Sequence, residues 1–155
     1  MGREVTVRDE TGNQATIDYL IKKLLLGFNT YRRIDYANIS GALETVAKGT
    51  VMGRVDATKK LVPCKSDATD GSQQPVGILI EELTEIAIAG TVDDVLICDG
   101  GDISATDLVF QNGTDTLATA ITSTGGDIKT IEDFLIQNGN NFQFLNKEDS
   151  SEYDN

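Results

Sequence analysis

The chain contains no histidine, which removes the serine and cysteine triads that use imidazole as their base, along with imidazole acid–base pairs. Basic residues are scarce, 13 against 25 acidic ones, for a formal charge of -12. That charge has the sign of a nucleic-acid backbone, so a phosphate-tracking groove is not expected and nucleic acid is not the expected partner. Cysteine is limited to Cys64 and Cys98, which lack CxxC spacing and have no histidine to complete a metal site; they read as free thiols of a reducing compartment. No apolar run approaches the ~20 residues of a membrane-spanning helix, so no membrane is expected. The opening Met1-Gly2-Arg3-Glu4 lacks the apolar core of a secretion signal, so folding in a cytoplasm is expected. The glycosylation-like triplets Asn38-Ile39-Ser40 and Asn112-Gly113-Thr114 then carry no meaning.

A chain of 155 residues is the length of one domain and should bury roughly two-thirds of its unfolded surface. At its start, Val5 and Val7 alternate with polar and charged neighbours from Arg3 to Arg8, which is the period-2 pattern of a short extended arm with one apolar side. After a turn at Thr11-Gly12-Asn13, residues Ile17, Leu20, Ile21, Leu24 and Leu25 recur at helical spacing. Thr16 is placed as N-cap, Asp18 complements the dipole, and Gly27, followed by Phe28, is placed to end the helix. A helix of about ten residues needs a surface to press against, either its own domain or another chain.

From Val46 onward the pattern changes to short Val-, Ile- and Leu-rich pieces separated by turn residues. Strands are expected over Gly49 to Val55, Lys60 to Pro63, Val76 to Ile80, Glu85 to Ala89, Val92 to Cys98 and Leu108 to Phe110. Asn112-Gly113 and Asn138-Gly139 are placed to close hairpins. Asp127 to Gln137 carries Ile128, Ile131, Phe134 and Leu135 at helical spacing, and Phe142 and Phe144 alternate as in a closing strand. The acidic end, Glu148 to Asn155, is expected to stay solvated. The expected organisation is an arm and helix over residues 1–30, a mainly β domain over 31–147, and a flexible acidic tail over 148–155.

Catalytic chemistry finds little to work with. The acids of Glu81-Glu82 and Asp93-Asp94 are adjacent in strand-like segments, so each pair points to opposite faces and cannot flank one bond. Gly100-Gly101-Asp102-Ile103 is echoed by Gly125-Gly126-Asp127-Ile128, which suits a turn delivering an Asx cap rather than an EF-hand loop. With no Walker loop and no GxGxxG, no cofactor is expected and the chain does not read as an enzyme.

The ordered set Gly49-Thr50-Val51-Met52-Gly53, Lys59-Lys60-Leu61-Val62-Pro63, Asp70-Gly71-Ser72-Gln73-Gln74-Pro75 and Val76-Gly77-Ile78-Leu79-Ile80 resembles the lambda-type phage head decoration proteins in order and spacing. A strand–Gly–strand unit at Val95 to Phe110 extends the resemblance, which spans roughly Val46 to Leu145. It implies a β-clip (β-tulip-like) subunit that assembles as a homotrimer and cements the outer surface of an expanded head against DNA pressure, with the major capsid protein as partner. The motif residues Gly49, Gly53, Pro63, Asp70, Gly71, Pro75, Gly77, Ile78 and Leu79 would form its core and turns. An N-terminal arm in that family binds the shell by strand addition; here it would be Arg3 to Arg8, reaching roughly 20 Å. The resemblance also implies a virion location after synthesis in a host bacterium. The alternative is a head fibre or adhesin module binding host surface or glycan, which calls for an aromatic cluster; the chain offers Tyr19, Tyr31, Tyr36 and Tyr153 and no tryptophan.

Overall fold

A computed structural model of the chain describes residues 24–145. The arm from Arg3 to Arg8, most of the expected helix and the acidic tail lie outside the described residues. The elements run β1 (Leu25–Ala37), β2 (Glu44–Val46), β3 (Val51–Arg54), β4 (Leu61–Pro63), β5 (Pro75–Leu79), β6 (Leu83–Ile86), β7 (Thr91–Ser104), β8 (Ala120–Thr122), β9 (Ile128–Thr130), α1 (Ile131–Asn138) and β10 (Asn140–Leu145). The chain is mainly β. The principal sheet has the order β1-β4-β3-β5-β7-β10, and a further β1–β7 pairing closes its first five strands into a small barrel. Closure leaves those strands without a long free edge, the usual route by which β domains aggregate. The ribbons β2–β6 and β8–β9 stand beside it.

Strands β3, β5 and β7 explain why the sequence reads as apolar runs instead of alternation. Consecutive residues point to opposite faces, and here both faces are buried. Val51, Ile78 and Cys98 join one cluster with Ile131, Phe134 and Leu135 of α1 and Phe142 of β10. Their neighbours Met52, Leu79 and Ile97 join a second with Tyr36, Val46, Leu61 and Val95, flanked by Leu83 and Ile86 of β6. The barrel wall is therefore sandwiched between α1 with β10 on one side and the β2–β6 ribbon on the other.

Helix α1 begins at Ile131 because Thr130 caps it. The Thr130 hydroxyl accepts from the Asp133 N–H at 3.1 Å, and the Asp133 carboxylate accepts from the Thr130 N–H. Glu132 and Asp133 also place negative charge in the first turn. Ile128, which shares the helical spacing, instead belongs to β9 and pairs with Thr122.

Several sequence expectations are corrected. Leu25 and Leu26 are strand, not helix: Leu25 pairs with Ile103 of β7, and Gly27 lies inside β1 rather than capping a helix. Leu108 to Phe110 contributes an isolated bridge, Thr50 to Val109, in place of a strand. Neither Asn-Gly dipeptide closes a hairpin. Asn112 turns its side chain to Asp115 within a loop, and Asn138-Gly139 ends α1 before β10 pairs parallel to β7. The hairpin between β8 and β9 is closed by residues 123–127, with the Ser123 N–H donating to the Asp127 carbonyl at 2.8 Å. Gly100 and Gly101 form no turn; both lie within β7, opposite β1. Strand β6 stops at Ile86, because Ala87 to Gly90 form the turn into β7, where the Gly90 N–H donates to the Ala87 carbonyl at 2.8 Å.

Candidate functional site

The nine motif residues converge on one body. Met52 pairs with Pro63 on one side and Gly77 on the other, Gly53 pairs with Pro75, and Val51 pairs with Ile78. The Gly49 N–H donates to the Leu79 carbonyl at 2.7 Å, tying the approach to β3 onto the end of β5. Asp70 and Gly71 open a loop that folds back over β3: the Asp70 carbonyl accepts from the Asp56 N–H at 2.8 Å. The Asp70 carboxylate accepts from the Ser72 N–H at 3.0 Å and from its hydroxyl at 2.5 Å, and these bonds hold the Asp70 carboxyl below its usual range. Ser72 and Gln73 are consequently buried, and Gln73 donates onward to the Thr122 carbonyl at 3.1 Å. The motif thus sets the close packing of β3, β4 and β5 and the loop that seals them.

Gly77 shows what that packing demands. A Cβ at this position would sit 2.7 Å from the Cys98 carbonyl oxygen and 2.8 Å from Cδ1 of Ile97. Gly77→Val is therefore expected to destabilise the protein by about 1–3 kcal/mol through overpacking. Thermal unfolding checks this: a lowered Tm is expected, and an unchanged one would mean that β7 does not lie against Gly77.

Three polar devices that sequence reasoning missed fix the loops around this body. Tyr36 is fully buried and donates its hydroxyl to Glu44, itself nearly buried; burial and this carboxylate push the Tyr36 hydroxyl upward, so it stays a donor. Asn38 donates to the carbonyls of Ala42 (2.7 Å), Ile86 (2.9 Å) and Ala87 (3.0 Å), pinning the β1–β2 loop to the β6–β7 turn. Asp115 accepts from the Ser66 N–H and hydroxyl and from Asn112. Tyr36 ties β1 to β2 across eight residues, whereas Asn38 reaches Ile86 across 48 and Asp115 reaches Ser66 across 49, so only the Asx motif at Asn112 to Asp115 signals any of them beforehand.

The two cysteines are free and buried. Burial pushes the Cys64 thiol up to about 12, with the nearby Asp115 carboxylate adding to it, so Cys64 is held as an inert thiol. Among the described residues no cluster of three or more His, Cys, Asp or Glu side chains is arranged to hold a metal ion. Glu81, Glu82, Asp93 and Asp94 are all exposed at the surface, where water screens them. Among the described residues, no helix is long and apolar enough to cross a membrane.

What the surface does offer is exposed apolar side chains on braced loops. Ile39 and Leu43 project from the loop that Asn38 organises, and Ile88 from the adjoining turn. At the opposite reach of β1, Phe28 is fully exposed and Tyr31 half so. The arm residues Arg3, Val5, Val7 and Arg8 lie outside the described residues.

No curated protein matches the chain. A family model does, that of bacteriophage lambda head decoration protein D, over residues 20–125. The match starts earlier than the motif-based resemblance and takes in the whole of β1, consistent with the place of that strand in the barrel wall. It ends at Gly125, before α1 and β10. The family is structural rather than enzymatic and belongs to the phage head. Because the match covers well over half of the 155 residues and includes every motif residue from Gly49 to Leu79, the chain belongs to the bacteriophage lambda head decoration protein D family.

Proposed function

We propose that the protein binds the outer surface of the expanded phage head as a homotrimer and cements neighbouring capsomers against internal DNA pressure. The family match over residues 20–125 is the observation that carries this reading. Its barrel, taken as a β-clip unit, is the rigid body, and the major capsid protein is the partner. The segment from Arg3 to Arg8 anchors the trimer to the shell by adding a strand, with Val5 and Val7 setting register and the backbone supplying affinity. Three weak arms held on one trimer reach an avidity that a single arm cannot, so binding energy is the whole of the mechanism. The tail from Glu148 stays in solvent, no cofactor takes part, and neither nucleic acid nor membrane is a partner.

Charge tunes the assembly. Each subunit carries -12, so like-charge repulsion opposes association most at low ionic strength. Sedimentation velocity is expected to show the trimer gaining over monomer as salt is raised from about 0.01 to 0.15 M, where the screening length falls from ~30 to ~8 Å. A stable dimer at every protein and salt concentration would contradict three-fold assembly.

A further inference from the structure

Strand β1 does not run evenly along β7. Leu25 pairs with Ile103 and Asn29 with Gly101, so three residues of β1 face Asp102 alone. Leu26, Gly27 and Phe28 therefore bulge out of the ribbon, and Phe28 is 100% exposed. A bulge of this kind re-aims a side chain that regular pleating would lay along the sheet.

The bulge is braced rather than loose. Asn29 donates its side-chain amide to the carbonyls of Asp102 (3.1 Å) and Gly100 (3.4 Å), and its nitrogen lies 3.6 Å from the Cys98 sulfur. Gly101 takes φ +106, and a Cβ there would collide with the backbone of Phe28 and Asn29. Gly27 passes where a Cβ would meet the Asp102 carboxylate at 2.5 Å. The close backbone approach at Gly101 and the part-buried Asn29 amide thus hold the strand beside an aromatic ring that is fully exposed. Nothing in the barrel benefits from that exposure, since large exposed aromatics cost solubility without adding core.

We infer that Phe28 is a preorganised anchor that inserts into an apolar pocket of the shell protein beside the attachment of the N-terminal arm. The inference rests on the capsid-cementing reading. Phe28 stands four residues from Leu24, where the preceding 23 residues join the barrel, so at most roughly 13 Å separates them, the span of a fully extended strand that the bulge shortens. An arm that reaches the shell from Leu24 turns this side of the barrel toward it. A rigid aromatic loses little conformational freedom on docking, which is why such residues dominate interface energetics.

The test compares wild-type protein with Phe28→Ala and Phe28→Leu by co-sedimentation with expanded, undecorated capsids, alongside thermal unfolding and sedimentation velocity of the free proteins. The expected result is an unchanged Tm, wild-type sedimentation, roughly thirtyfold weaker capsid binding for Phe28→Ala and an intermediate loss for Phe28→Leu. Wild-type affinity for Phe28→Ala would overturn the anchor while leaving the cementing reading intact. A changed oligomeric state would overturn it by assigning Phe28 to a contact between copies, and a lowered Tm by assigning it to the fold. Failure of the wild type itself to bind capsids would remove the cementing reading and the anchor together.

Discussion

Removal of Met1 to Asp9 is expected to leave a folded barrel and to weaken capsid binding by up to about a thousandfold. The fold is expected to survive because the barrel of β1, β4, β3, β5 and β7 closes on itself within residues 24–145, where the described residues alone assemble two buried apolar clusters. Binding collapses because the loss is multiplicative. Each trimer gives up three strand additions at once, and even ~1.4 kcal/mol per arm amounts to about a factor of ten for each. Replacing Val5 and Val7 by Asp is expected to reproduce much of the loss by spoiling the apolar side of the added strand. Circular dichroism establishes that the truncated protein is folded, and a capsid titration measures the rest. Saturation at the wild-type concentration would move the anchor from the arm to the barrel.

Gly53→Val is expected to be the most damaging single substitution in the motif, costing about 3 kcal/mol or more and lowering soluble yield sharply. A Cβ at Gly53 would fall onto the Ser72 carbonyl, with the Ser72 Cα at 3.0 Å. The obstacle is backbone, and Ser72 cannot retreat: its N–H and hydroxyl are held by Asp70, and the next residue, Gln73, is bonded to Thr122. At Gly77 part of the obstacle is the end of the Ile97 side chain, which can give, so the smaller penalty is expected there. Denaturant unfolding of the two variants checks the order. Equal stability of Gly53→Val and the wild type would show that the loop from Asp70 does not close over β3.

The two substitutions also mark what the sequence makes legible. Strands β3, β4 and β5 are short, apolar and bounded by Gly, Asp and Pro, so each announces itself, and the Asp70-Gly71 loop carries its own turn chemistry. Strand β1 does not announce itself. Its pairing with β7 shifts register between Leu25 and Asn29, between Thr30 and Tyr31, and between Ile34 and Tyr36, and each shift breaks the period of two that identifies a strand. Much of it is exposed as well, with Arg32 and Arg33 outward, so no apolar face shows through. The helical spacing of Leu20, Ile21, Leu24 and Leu25 then carries the reading past the point where β1 begins. Pairing with β7 decides the outcome at Leu25, a tertiary effect that a local pattern does not contain.

Strand β7 is misread at its far end for a related reason. Gly100-Gly101 looks like a turn because a positive φ usually makes one, yet here the positive φ of Gly101 accommodates the bulge of β1 within a continuous 14-residue strand. The polar fixings escape for want of any local signal: Tyr36 and Glu44 lie eight residues apart across a loop, and Asn38 reaches Ile86 across 48. The candidate contact residues divide in the same way. Val5 and Val7 are nominated by their alternation together with the shell-binding arm that the family resemblance implies, whereas Phe28 becomes a candidate only once the bulge that projects it is seen.

Cryo-electron microscopy of expanded, undecorated heads incubated with the purified protein tests the central claim most directly. The account predicts trimeric density on the outer surface at three-fold and quasi-three-fold positions, with the side of the barrel bearing Leu24 and Phe28 against the shell. Heads that remain bare, or density confined to the interior or to sites without three-fold symmetry, would contradict it.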